Sequence, residues 1–237
     1  MSEKATDFED FIQMALHGGG RKGTTENNSG SSRPEYGIPV PHLRLFVKTW
    51  ASAHRTLMLD DWIAVLDVLY SGESVDHRLL AGMVLGEYKS LRQLMPLENF
   101  ERWLRQLEGW KEIDGTCQSI FTADELLARW EAWRAFLQRL CASPNLNLQR
   151  ASLVILIRSV RESSDERPVA LAFAHIDALK SEKDKRIVKA ISWVLREAIK
   201  LHRPRVENYL AVYVTSLPKT TIREVTTKLT FGKKNPR

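Results

Sequence analysis

The stretch Lys185-Arg186-Ile187-Val188-Lys189-Ala190-Ile191-Ser192-Trp193-Val194-Leu195-Arg196-Glu197-Ala198-Ile199-Lys200 decides the fold. On a helix, at about 100° per residue, Ile187, Ala190, Ile191, Val194, Leu195 and Ala198 form one apolar face. Lys185, Arg186, Lys189, Trp193, Arg196 and Lys200 gather on the other. A large aromatic among five cations suits a polyanion, because the cations pair with phosphates and the ring packs on sugar or base. The stretch alone fits equally well a tryptophan half-covered by a neighbouring helix on an ordinary solvated face.

The surrounding sequence has the same helical character. Phe8, Phe11, Ile12, Ala15 and Leu16 give Asp7–His17 a one-sided apolar face. From residue 18 to 35 the composition changes to Gly, Ser, Thr, Asn and charge without a periodic face, which predicts a flexible loop. Its Gly18-Gly19-Gly20 run lacks the spacing and the preceding strand of a phosphate loop. Beyond Gly37-Ile38-Pro39-Val40-Pro41, Pro41 opens a helix through Trp50, Asp60 or Asp61 caps a second, and Ser74 caps a third. Further helices are predicted over 98–109, 116–121, 123–142, 146–161, 167–180, 184–201, 203–216 and 219–229. No alternating strand pattern competes with them.

Short connections between such helices imply antiparallel neighbours. The expected fold is all-α, a superhelical stack of antiparallel helix pairs, a degenerate HEAT-like or ARM-like solenoid without exact internal repeat. The expected organisation is an N-terminal helix and Gly/Ser-rich loop over 1–35, a helical-repeat domain over 36–230 and a basic tail over 231–237.

Composition narrows the function classes. With 237 residues and 43% hydrophobic content the chain can bury a sizeable core. Cys117 and Cys141 make neither a disulfide framework nor a metal quartet. His17, His42, His54, His77, His175 and His202 lack metal-ligand spacing. The start has no signal pattern, and no apolar run approaches the roughly 18 residues of a membrane span; the expected location is the cytoplasm, without membrane association. The net charge is +6, yet residues 180–237 alone carry 15 basic and 5 acidic residues. Basicity concentrated at one end points to a localised anionic partner.

Two more segments bear on the site. Trp110 and Asp114, in Trp110-Lys111-Glu112-Ile113-Asp114, share a face if the segment is helical; otherwise Asp114 serves as an N-cap for the next helix and Trp110 as core. Arg150, in Leu148-Gln149-Arg150-Ala151, opens a nearly all-round apolar helix at a turn where the dipole disfavours a cation, so it calls for a carboxylate or phosphate partner. Trp50, Trp62, Trp103, Trp130 and Trp133 lie within apolar patterns and read as core.

Taken in order, Gly37–Pro41, Trp110–Asp114, Leu148–Ala151 and above all Ile187–Glu197 resemble the AlkD family of DNA alkylation-repair glycosylases, over residues 36 to 230. The resemblance implies a HEAT-like fold that holds double-stranded DNA and hydrolyses the N-glycosidic bond of 3-methyladenine and 7-methylguanine without flipping the base. It implies that Asp114, Trp110 and Trp193 line the deoxyribose of the lesion, with Arg150 on nearby backbone. Lys185, Arg186, Lys189, Arg196 and Lys200 are then the DNA-binding cations. No metal or cofactor is implied, and the expected state is a monomer. A cationic alkylpurine is already a good leaving group, so a carboxylate beside C1′ and indole faces suffice for the developing oxocarbenium charge.

The chain departs from the family pattern in three places. The 18–35 segment replaces a helix that contributes DNA contacts, Lys185 and Arg186 stand where aromatics are usual, and Pro39 replaces a polar residue. A second class of function therefore stays open: a HEAT-like protein that grips distorted or branched DNA without cutting it. Intact Asp114 favours the enzyme, because a binder gains nothing from an acid against phosphates.

Overall fold

The computed structural model describes residues 3–17, 29–118 and 120–234. Among them are fourteen helices and no strand. They are α1 Glu3–His17, α2 Val40–Ala53, α3 Leu59–Ser71, α4 Val75–Glu87, α5 Lys89–Leu94, α6 Leu97–Arg105 and α7 Trp110–Cys117. They continue as α8 Ala123–Ala128, α9 Trp130–Cys141, α10 Leu146–Val154, α11 Ile157–Glu162, α12 Glu166–Leu179, α13 Lys185–Tyr213 and α14 Lys219–Phe231. The all-helical architecture is that of a solenoid of helix pairs. Among the described residues no helix is long and apolar enough to cross a membrane.

The chain divides into two compact units after Thr116, inside the 36–230 span expected as one domain. In the first unit α4 packs against α2 and α3. It is buried nearly all round, including Leu79, Leu80, Ala81, Val84 and Leu85. Trp62 and Trp103 are fully enclosed with Tyr70 stacked on Trp103 at 5.2 Å, and Phe8 of α1 meets Phe46 and Trp50 of α2 at 5.2 and 4.8 Å. In the second unit α13 packs on α10, α11 and α14.

Helix ends follow local chemistry with some corrections. Ser74 caps α4 in a capping box closed by His77, whose other ring nitrogen lies 3.2 Å from Glu9 of α1. The helix expected to be capped by Asp60 or Asp61 starts earlier, after Met58, and the two carboxylates sit in its first turn, where they favour the positive end of the dipole. The predicted helix over 116–121 is absent as such. Trp110–Cys117 is helical instead, and Phe121-Thr122 leads into a capping box at Thr122 that starts α8. The single helices expected over 123–142 and 146–161 are each broken, the first at Arg129 (φ −128°) and the second around Ile155-Leu156. The helices expected over 184–201 and 203–216 are found as the two arms of α13, which meet at a non-helical residue, His202 (φ −125°, ψ 34°). Pro204 accounts for the kink: it has no N–H to donate and its ring crowds the carbonyl one turn back.

The segment expected to be a loop also differs. Residues 18–28 lie outside the described residues, but 29–35 are pinned: Ser29 and Ser31 are 1% and 8% exposed. The Pro34 carbonyl accepts from the Val75 amide at 3.0 Å, and Asp76 accepts from the backbone N–H groups of Tyr36 and Ile38 at 2.7 and 3.3 Å. Polar side chains and backbone groups, not an apolar face, hold this strap, so periodicity does not reveal it. The five tryptophans read as core, Trp50, Trp62, Trp103, Trp130 and Trp133, are all buried.

Candidate active site and nucleic-acid interface

Helix α7 has only eight residues. A helix that short is marginal by itself in water, so its neighbours must hold it. Gly109, just before it, lies against the strap so closely that a Cβ there would stand 2.3 Å from the Ser29 carbonyl oxygen and 2.7 Å from the Ser31 nitrogen. Gly82 of α4 permits a second close approach, because a Cβ there would stand 2.3 Å from the Gly115 carbonyl oxygen. Gly109 beside the strap and Gly82 on α4 leave the space in which this helix docks.

On the docked side of α7, Glu112 and Ile113 are fully buried, and Thr116 accepts from the Tyr70 hydroxyl at 3.3 Å. On the other side Trp110 is 41% exposed and Asp114 half-buried, four residues apart and hence on one face. The helix starts at Trp110, with the Ile113 amide donating to the Gly109 carbonyl at 3.1 Å, so Asp114 lies in its interior. Neither alternative reading, Asp114 as an N-cap or Trp110 as core, is realised.

The charges around α7 belong to its attachment. Burial pushes the Glu108 carboxyl up, but the Ser32 hydroxyl and amide, Arg33 and Ser31 together hold it below the usual range. Burial lowers the Lys111 ammonium, which pairs with Glu35.

In the second unit, the apolar face read in α13 is completely enclosed: Ile187, Ala190, Ile191, Val194, Leu195 and Ala198 are each 0% exposed. Opposite it, Lys185, Lys189 and Lys200 are exposed, while Arg186, Trp193 and Arg196 are half-buried. The cations are therefore not equivalent. Asp184 caps the helix, accepting from the Arg186 amide at 2.8 Å and from its guanidinium at 3.0 and 2.9 Å. Arg186 is the main reason that the Asp184 carboxyl lies below its usual range, with Arg150 adding a smaller pull.

Arg150 falls in the second turn of α10, not the first, and is 4% exposed. Its Nη1 donates to the Arg186 carbonyl at 2.5 Å, while Arg186 reaches back to Asn147 Oδ1 at 3.2 Å. The structure thus brings Arg150 and Arg186 together, fastening α10 to the first turn of α13. Arg196 lies toward α14, its Nε 3.3 Å from Ser192 Oγ and 3.8 Å from Glu224. Glu224 also accepts from Ser192 at 2.6 Å and lies 3.1 Å from Lys234. Burial lowers the Arg196 guanidinium, partly offset by Glu224 and Glu197.

Sequence reasoning missed Ser31, Arg33, Glu108 and Glu112 around α7, and Asn147, Asp184, Ser192 and Glu224 around α13. Asp184 carries a legible signal, a capping residue before an amphipathic run. The others join segments far apart in sequence and obey no local pattern.

A family model for DNA alkylation repair enzymes matches residues 2–229. Among solved structures, the chain is similar to a predicted DNA alkylation repair enzyme from Enterococcus faecalis, with a TM-score of 0.70 and 17% identity, over 97% of this chain and 96% of that one. At that identity the likeness speaks to the fold. No curated protein matches. The family match spans both compact units, and on it the chain belongs to the DNA alkylation repair enzyme family.

Proposed function

We propose that the protein is a monofunctional DNA glycosylase that hydrolyses the N-glycosidic bond of cationic alkylpurines, 3-methyladenine and 7-methylguanine, in duplex DNA without flipping the base. One observation of geometry supports this reading. On α7 the 41% exposed indole of Trp110 and the half-buried carboxylate of Asp114 share one helical face, with Asp114 in the helix interior and not at its end.

In this reading Asp114 stands beside C1′ of the damaged nucleotide. As the C1′–N bond breaks, its electron pair goes to the purine, which leaves neutral because it began as a cation. No acid is needed to protonate it. The positive charge then lies on the sugar, where the carboxylate stabilises it and orients the water that adds to C1′; that water gives up a proton, through Asp114 to solvent, to leave the sugar hydroxyl. A preorganised charged group of this kind contributes on the order of 3–4 kcal/mol. Trp110, on the same helical face as Asp114, offers its ring to that cation, for about 0.5–2 kcal/mol; for Trp193 the family resemblance implies the same kind of contact. Lys185, Lys189 and Lys200 contact phosphates directly. Arg150 and Arg186 hold the first turn of α13, with Arg186 the more exposed of the two, and Arg196 contributes at the α14 side.

The test is release of free 7-methylguanine or 3-methyladenine from methylated duplex DNA. Release of either base supports the proposal. Tight binding with no release of either would overturn it in favour of a DNA-binding protein without catalysis.

A further inference from the structure

We infer that Glu112, clamped by the strap residues Ser29–Arg33, is a positioning residue for Trp110 and Asp114. This rests on the reading of those two side chains as the groups that meet the sugar. Glu112 lies two residues from each of them along α7 and so projects from the opposite side of the helix. Its carboxylate is completely buried, which is costly unless every oxygen is partnered. Here each one is. Oε1 accepts from Ser31 Oγ at 2.6 Å and Oε2 from the Glu108 amide at 2.9 Å, while Arg33 Nη1 reaches both at 3.4 and 3.2 Å.

The clamp fixes the start of α7 in three directions. Arg33 also donates to the Gln106 carbonyl at 2.9 Å, tying the preceding turn to the same point. Glu108 accepts from the Ser32 amide and hydroxyl at 3.0 and 2.7 Å, so the approach to α7 is held from both sides. The Lys111 amide points to the Ser29 carbonyl at 3.4 Å.

The strap also touches the indole. Gly30 has φ +73°, and a Cβ built on it would lie 3.4 Å from Trp110 Cδ1. A position that favours glycine therefore lies against the edge of the exposed ring. The strap sets both the pitch of α7 and the space available to Trp110. Since displacement of reacting groups by about 1 Å costs roughly a hundredfold in rate, loosening the clamp acts on the chemical step more than on binding.

The experiment compares Gly30→Ala, Ser31→Ala and Glu112→Gln with wild type and with Asp114→Asn, using N7-methylguanine duplex at saturation in single turnovers, together with duplex affinity. Thermal melting supplies the folded fraction of each, and the two strap variants serve if Glu112→Gln does not fold. The expected result is a fall of about tenfold or more in the single-turnover rate per folded molecule, with affinity within about threefold. Arg33→Lys should recover part of the rate lost in Arg33→Ala. Wild-type rates per folded molecule in the clamp variants, with Asp114→Asn inactive, would overturn the positioning role alone. A fully active Asp114→Asn would instead overturn the assignment on which it rests.

Discussion

Helices α7 and α13 each carry a tryptophan on the face away from their buried side, exposed in Trp110 and half-buried in Trp193, but they reach that arrangement by opposite routes. The N-terminal half of α13 is long, amphipathic and capped by its own Asp184, and its apolar face is buried without exception. Its orientation is encoded in its own sequence. Helix α7 is eight residues long and flanked by or containing glycines, and is anchored by a buried carboxylate to a polar strap some eighty residues earlier in the chain. Its orientation is encoded elsewhere. A helix held by apolar burial tolerates polar change on its outer face, whereas one held by a few hydrogen bonds and two close backbone approaches is sensitive to single atoms.

That contrast can be broken by substitution. The largest effect on stability is expected in α13: Ile191→Ala removes fully buried methyl groups and should cost about 2–5 kcal/mol in denaturant unfolding. A cost under about 1 kcal/mol would mean that the face is not the anchor. Next comes Gly82→Ala, whose methyl group would meet the Gly115 backbone oxygen. It should destabilise by about 1–3 kcal/mol. Gly115→Ala meets only the end of the Leu79 side chain, at 2.7 Å, and should cost less. Equal costs would show that the α4–α7 approach is not limited by backbone.

The outer face of α13 should respond differently. Replacing Lys189 and Lys200 by Ala should leave stability within about 0.5 kcal/mol. Measured by titration at several salt concentrations, the salt dependence of DNA binding should flatten by about two in slope, one per phosphate contact. An unchanged slope would remove these lysines from the interface. The smallest effect concerns Asp184, whose carboxyl is held below the usual carboxylate range chiefly by the Arg186 guanidinium. A depressed carboxyl contributes stability above its unfolded pKa and loses it as pH falls through the folded value. Asp184→Asn, which keeps the cap, should therefore be slightly less stable than wild type at neutral pH, with the difference vanishing in acid below the usual carboxylate range. A difference that persists there would mean that charge is not the cause.

How much of this was legible in the sequence follows the same division. The apolar stripe Ile187 to Ala198, the Ser74 cap and the kink between 201 and 203 are local patterns, and each lies where the sequence places it. Helix α7 is only half legible: Trp110 and Asp114 share a face if the segment is helical, but Gly109 and Gly115 lower propensity, and the helix expected from 116 is found instead to end at Cys117. The strap over 29–35 read as a flexible loop for a related reason. Its order comes from Glu108, Glu112 and Asp76, residues that no spacing rule links to it. For Arg150 the sequence points to a carboxylate or phosphate partner, whereas its Nη1 donates to a backbone carbonyl. That its partners would include the Arg186 carbonyl, in the basic helix itself, depends on how α10 packs on α13.

The central claim is that the exposed face of α7 does chemistry and does not merely bind. Its most direct test is the rate of 7-methylguanine release from methylated duplex DNA by wild type and by Asp114→Asn, with duplex affinity measured on the same preparations. The account predicts release by wild type, a loss of about a hundredfold or more in the mutant, and nearly unchanged affinity. Equal rates in the two proteins would contradict it.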